Sequence, residues 1–226
     1  MITSNVISRI FYIAHNSTSG TAFTIEIDGR QYLISARHIF EHVHNSLTVS
    51  IFHETQWKDI DLRLIGHGAE DIDISVLSAD FQLSPTHQLE PTSRGIAYGQ
   101  DVYFLGFPYG TFGKLGKINR NFPLPFVKKG ILSAMQMMSV DKSEILYIDG
   151  HNNPGFSGGP VIFKQPNSNN FKVAAVISGY QWVPEPVYMG DVQTKLSYQY
   201  NTGIIVSYGI RHAVDIIRSN PYGFSL

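Results

Sequence analysis

The sequence predicts an all-β fold built of two units of similar size and one C-terminal helix. Short runs of β-branched and aromatic residues alternate at a period of two, six of them before residue 80 and six after residue 100. A segment rich in Pro, Ser, Thr and Gly parts the two sets. Only the end of the chain has helical spacing.

In order, the first unit reads as strands over 6–14, 21–27, 31–35, 47–53, 57–65 and 72–77. Asp28-Gly29 between the second and third is a two-residue hairpin turn. The stretch "LSPTHQLEPTSRG", 83–95, is a linker. Strand signals resume over 101–107, 130–138, 144–148, 160–163, 171–178 and 203–207. In "YGIRHAVDIIRSN" Ile210, Val214 and Ile217 lie at helical intervals and Pro221 follows, so a helix is expected over about 209–219. The division expected is 1–82 for the first unit, 83–100 for the linker and 101–226 for the second unit with the helix. Short strands of this kind pack as closed barrels or sandwiches.

Composition narrows the function. Of 226 residues, 43% are hydrophobic and 15% charged, which is globular and long enough for a sizeable core. A formal net charge of −1 leaves no broad basic footprint, so neither nucleic acid nor an anionic membrane surface is an expected partner. With no cysteine, disulfides and thiolate metal sites are excluded. The N-terminal run lacks a basic leader and Arg9 interrupts it, so it reads as a strand and not as a signal peptide. A cytoplasmic protein without cofactor is expected.

Chemistry concentrates in "GHNNPGFSGGPVIF", residues 150–163. A serine that attacks a carbonyl needs a base for its proton and donors for the oxyanion. Gly155 permits backbone angles closed to other residues, so the N–H groups of Gly155 and Ser157 can converge on one point. Gly158 and Gly159 allow close approach of chain and substrate. For the base, nine histidines are available, and His38 stands out at the end of "YLISA". For a carboxylate that orients the imidazole, "EDIDISVL" offers Asp71 and Asp73; Asp73 precedes the apolar run and is better placed for burial. Taken singly, His38 reads as a solvated histidine, and an isolated aspartate in this setting as an edge-strand charge.

Their order along the chain makes the pattern specific. "YLISARHIF", "DISVL" and "DGHNNPGFSGGPV" resemble the histidine, aspartate and serine segments of trypsin-fold serine proteases, most of all those of the HtrA (Deg) branch. "VYFLGFPYG", "KKGILSA" and "NTGIIVSYGIRHAVDIIR" are similar to further segments of that family in the same order, so the resemblance runs from about residue 6 to 218. It implies two six-stranded antiparallel β-barrels with a C-terminal α-helix. It further implies an endopeptidase with His38 as general base, Asp73 as its orienting carboxylate, Ser157 as nucleophile, and Gly155 with Ser157 as oxyanion donors. By the same resemblance Ser178, Gly179 and Tyr180 line the edge where a protein or peptide substrate adds as a strand, with Ser178 also bonding the carboxylate. His151 and Asn152 fall on the expected pocket wall, where the lack of an acidic residue gives no support to Arg/Lys preference.

Two residues depart from the family pattern. Arg37 stands where a small residue is commoner. Phe156 replaces the aspartate with which zymogen-type trypsins bind a new N-terminus, so activation by N-terminal cleavage is not expected. No PDZ module is expected after the helix. The segments 108–126 and 181–201 read as long loops able to gate the site under a regulatory or activating protein partner. Two other readings compete. One is a peptide-binding pseudoprotease. The other is a zinc peptidase, because His38-x-x-Glu41-His42 also spells a zinc-binding signature that requires a helix.

Overall fold

The computed structural model describes residues 2–69, 71–87, 89–119, 121–138, 143–166 and 168–226. The first barrel consists of β1 (Ile10–His15), β2 (Thr18–Ile27), β3 (Arg30–Ser35), β4 (Ser46–His53), β5 (Gln56–His67) and β6 (Ser75–Ser78). They pair in the order β3-β2-β1-β4-β5-β6, and β3 closes on β6. After a two-residue strand β7 (Glu90–Pro91), the second barrel uses β8 (Asp101–Gly106), β9 (Phe126–Met138), β10 (Ser143–Asp149), β11 (Pro160–Lys164), β12 (Phe171–Met189) and β13 (Val192–Gly209). Their order is β11-β8-β9-β10-β13-β12, closed by β11 on β12. Every pairing within the two rings is antiparallel. Closure of both rings gives the two-barrel, all-β architecture that the strand pattern and the resemblance implied, and it removes most open sheet edges.

Local chemistry accounts for the turns. Asp28 and Gly29 both have positive φ, 50° and 72°, and join Ile27 to its partner Arg30, which is the geometry of a type I′ hairpin. Each barrel is filled by its inward residues: Ile13, Leu33, Val49 and Leu77 in the first, and Phe104, Leu132, Ile148 and Phe163 in the second. A third apolar layer lies between the barrels. It joins Ile10, Phe23, Ile34 and Val76 to Leu105, Phe107, Ile162 and Val176. This layer fixes how the barrels meet, and so fixes the cleft above it.

Four elements differ from the sequence expectation. The first strand starts only at Ile10, because residues 4–7 wind into a single helical turn, α1 (Ser4–Ile7). Arg9, fully buried, donates from Nε to Asn5 O at 3.0 Å and from Nη1 to both Glu26 carboxylate oxygens at 2.7 Å, and Nη2 reaches the His87 carbonyl. It thereby ties α1, β2 and the linker together. The segment 181–201, expected as a loop, is mostly strand: β12 and β13 run on past the barrel as a two-stranded ribbon, irregular at Tyr180/Trp182 and Pro186/Tyr188, with Trp182 opposite Asn201 and Tyr188 opposite Gln193. The helix α2 (Arg211–Ser219) follows the second barrel in sequence, yet Ala213 and Ile217 pack with Ile65, Ile72 and Ile74 of the first barrel and its β5–β6 connection. A final short strand, β14 (Phe224–Ser225), pairs with β3. Among the described residues no helix is long and apolar enough to cross a membrane.

Candidate active site

β3 ends at Ser35, and the chain then makes one 3-10 turn, Arg37–Ile39, that turns His38 outward at the mouth between the barrels. Asp73 lies in the connection just before β6, which pairs with β3. The two residues are 35 positions apart and meet twice. His38 N–H donates to Asp73 Oδ1 at 2.8 Å, and Nδ1–H donates to Oδ2 at 2.7 Å. A carboxylate only accepts, so the Nδ1 proton is fixed there and Nε2 of the neutral ring is left as an acceptor. Asp71 is exposed and takes no part.

Electrostatics follow from this geometry. The hydrogen bond donated to Asp73 raises the His38 pKa above its ordinary value, and the charges of Asp73 and Glu41 add to the rise against the opposing effect of burial. Burial alone would raise Asp73, but the hydrogen bonds and charge of His38, with a further bond from Ser178, hold it below the usual carboxylate value.

Ser157 sits in a turn clamped onto the first barrel. Its carbonyl accepts from Thr21 N–H at 2.8 Å, and Thr21 Oγ1 donates to Gly155 O at 2.7 Å. Gly158 has φ of +84° and lies so close to β2 that a Cβ would stand 2.1 Å from Thr21 O. Gly155, at φ +103°, is pressed against Phe107, whose carbonyl would lie 2.2 Å from a Cβ. These two positions admit glycine only. Tyr109 N–H donates to Pro154 O at 2.8 Å. In a trans peptide the carbonyl and the following N–H point opposite ways, so this bond turns Gly155 N–H away from Tyr109. Among the described residues, neither Gly155 N–H nor Ser157 N–H donates to a protein acceptor.

A further residue joins the two halves. Ser178 Oγ donates to Asp73 Oδ2 at 2.6 Å, while Ser178 O accepts from Ser157 Oγ at 3.0 Å. His38, Asp73, Ser178 and Ser157 therefore form one hydrogen-bonded chain across the barrel junction. Gly179 and Tyr180 follow Ser178 along β12, and all three are half-buried. Asn152 is buried, and its side-chain oxygen accepts from Asn153 N–H at 2.9 Å. His151 is exposed, with its carbonyl occupied by Lys128 Nζ at 2.6 Å.

The metal alternative finds no support here. Within His38–His42 the only helical piece is the 3-10 turn Arg37–Ile39, not the α-helix that would stack residues i and i+4, and among the described residues no three His, Cys, Asp or Glu side chains gather to hold an ion.

Sequence reasoning missed the residues that hold the loops. Arg37 Nη1 donates to Gly68 O at 3.2 Å and Ala69 O at 3.1 Å, binding the turn of His38 to the connection that carries Asp73. Its unusual place before the histidine was the available signal. Thr21, Tyr109 and Lys128 brace the serine turn, and nothing in their local pattern marks them.

Comparison with known proteins agrees with this architecture. The trypsin-like peptidase domain family matches residues 20–166. No curated protein matches the sequence. Among solved structures, an HtrA-type protease, AlgW with tripeptide, superposes with a TM-score of 0.62 at 19% identity, covering 96% of this chain and 61% of that one. This chain thus spans about three fifths of that protease's length. The protease Rv3671c of M. tuberculosis H37Rv, in an inactive form, superposes at TM-score 0.59 and 15% identity, covering 95% of this chain and 90% of that one. With a domain match over well over half its length and the closed pair of barrels, the chain belongs to the trypsin-like peptidase domain family.

Proposed function

We propose that this chain is a serine endopeptidase that cleaves peptide bonds by acyl transfer through His38, Asp73 and Ser157. The observation that carries the reading is the bonded chain His38–Asp73–Ser178–Ser157, drawn from four distant segments to one cleft. A peptide strand lies along Ser178, Gly179 and Tyr180. Ser157 Oγ turns from the Ser178 carbonyl toward Nε2 of His38 and attacks the scissile carbonyl carbon as Nε2 takes its proton. Asp73 holds the imidazole and offsets its positive charge. The carbonyl oxygen becomes an oxyanion facing the N–H groups of Gly155 and Ser157, each worth about 2.7–4 kcal/mol in comparable sites. As the C–N bond breaks, the leaving amine takes the proton from His38. Water, deprotonated by the same ring, then releases the acyl group.

The substrates are protein or peptide chains. The regulatory half of the proposal rests on the segment 108–126. It packs Phe112 on Phe52 with ring centroids 5.0 Å apart, and Phe122 edge-on to Phe11 at 6.3 Å, while Tyr109 holds Pro154. A protein partner that shifts this segment would change the serine turn.

The test is cleavage of an unstructured protein by wild type and by Ser157→Ala, with labelling by a serine-directed phosphonate. Labelling and cleavage that both vanish in Ser157→Ala support the reading. Cleavage that persists at the wild-type rate in Ser157→Ala overturns it. Peptide binding without turnover in the wild type favours the pseudoprotease instead.

A further inference from the structure

Two adjacent lysines on β9 point opposite ways. Lys128 is paired with Phe104 and Lys129 with Tyr103 on β8, so their side chains fall on opposite faces of the sheet. Lys129 faces out and pairs with Asp101 at 2.8 Å. Lys128 faces the barrel mouth beneath the serine turn. Its Nζ donates to His151 O and to Asn153 Oδ1, each at 2.6 Å, and lies 5.4 Å from the ring centroid of Phe156. An ammonium has three N–H directions. Two go to oxygen acceptors and the third side meets the negative face of an aromatic ring, all within the six residues that precede Ser157.

Phe156 is itself fixed. It is fully buried and packs edge-on against Phe104, with ring centroids 5.1 Å apart. The ring is thus held by the barrel core on one side and by the ammonium on another. Among the described residues, no carboxylate comes within ion-pair distance of Lys128. Burial lowers its pKa, with no neighbouring charge acting against that. The ammonium is thus a partly buried charge met by two oxygen acceptors and one ring, with no counter-ion of its own.

We infer that Lys128 is a positioning residue of the peptidase. Its ammonium holds residues 151–156 in the shape that presents the Gly155 and Ser157 N–H groups to the substrate oxygen, and it sets an unneutralised positive charge behind the turn where negative charge develops. The inference rests on Ser157 being the nucleophile. It assigns to a side chain on β9 a part in transition-state binding that direct contact with substrate would not reveal.

The consequence is a split between ground-state and transition-state effects. Lys128→Met keeps the stem and the approximate volume but removes the charge and the donors. It should lower kcat about 10- to 100-fold, less than the roughly 10²–10³-fold cost of deleting an oxyanion donor outright, and leave KM within about threefold. Affinity for a peptide boronate, which forms a tetrahedral adduct, should fall in parallel with kcat. Lys128→Arg should recover part of the loss, since it restores charge and donors in a different geometry. In Lys128→Ala, added propylammonium should restore activity saturably, and propanol should not.

Wild type and Ser157→Ala are run alongside. If Ser157→Ala keeps wild-type activity, the nucleophile assignment falls and this inference falls with it. If the wild type is active and phosphonate-labelled but Lys128→Met keeps kcat within twofold, only the Lys128 inference is overturned. It is likewise overturned if KM and boronate affinity weaken equally with kcat unchanged, or if propylammonium rescues no better than propanol. Should Lys128→Met fail to fold, the arginine variant and the amine rescue decide the matter.

Discussion

The Ser157 hydroxyl donates to the backbone carbonyl of Ser178, 3.0 Å away, and among the described residues no hydrogen bond joins it to His38. Ser178 thus touches the serine through its carbonyl and Asp73 through its own hydroxyl at 2.6 Å. In this arrangement the imidazole and carboxylate are already engaged with each other, while the serine hydroxyl is committed to Ser178.

Replacing Ser178 by Ala keeps the carbonyl and removes the bond to the carboxylate. A hydrogen bond to a charged group is worth about 1.5–3 kcal/mol. If most of that is felt in the transition state, kcat should fall on the order of 10- to 100-fold, with KM little changed. Steady-state kinetics on a fluorogenic peptide measures this. An unchanged kcat would mean that the bond between Ser178 and Asp73 does not contribute to turnover.

The pH profile should reflect His38. A general base works when neutral, so activity falls as pH drops through the His38 pKa. Because the bond to Asp73 raises that pKa, the acid limb should lie above the ordinary histidine value of about 6.5. Asp73→Asn removes the cause and should move the His38 titration back toward or below that value. Proton NMR of the ring in a Ser157→Ala background reads the shift without turnover. The rate in Asp73→Asn should drop by about 10⁴, as in another triad enzyme, because the amide no longer holds the working tautomer.

Removing Ser157 or His38 should cost about the same, each roughly 10⁶ in kcat by analogy with another triad enzyme, and the double variant should cost no more. Such non-additivity, measured by single-turnover cleavage, distinguishes residues acting as a unit from two independent contributors.

Arg9 gives a prediction about stability alone. It is fully buried and bonds both oxygens of Glu26 at 2.7 Å. Arg9→Met leaves that carboxylate, with its side chain only 19% exposed, without its cation. Breaking a buried pair from one side costs about 3–5 kcal/mol. Urea denaturation should show a loss of this size, while the fraction still folded keeps its kcat.

The strands of both barrels were legible because each has one face in a core, which imposes a period of two on residues such as Phe23, Ile25, Leu33 and Val49. The ribbon at 181–201 was not. Both its faces meet solvent, so Trp182, Pro184, Tyr188 and Tyr198 carry no burial pattern to read. The docking of α2 on the first barrel was hidden for another reason: periodicity reports an apolar face but not its partner. At the site, the glycines around Ser157 announce a cramped turn, and the apolar run after Asp73 separates it from Asp71. The braces were illegible because their function depends on register. One residue's shift would exchange Lys128 with Lys129 and turn the inward cation to the surface.

The crossing of α2 and β14 back to the first barrel has a consequence for biosynthesis. Ala213, Ile217 and Phe224 cover or pair with parts made some 140 to 190 residues earlier. On a translating ribosome, the barrel carrying His38 and Asp73 therefore waits with an open greasy flank until residues 211–225 clear the exit tunnel. Nascent chains halted before that point should be captured by chaperones and cut readily by an added protease, and release of the full segment should end both.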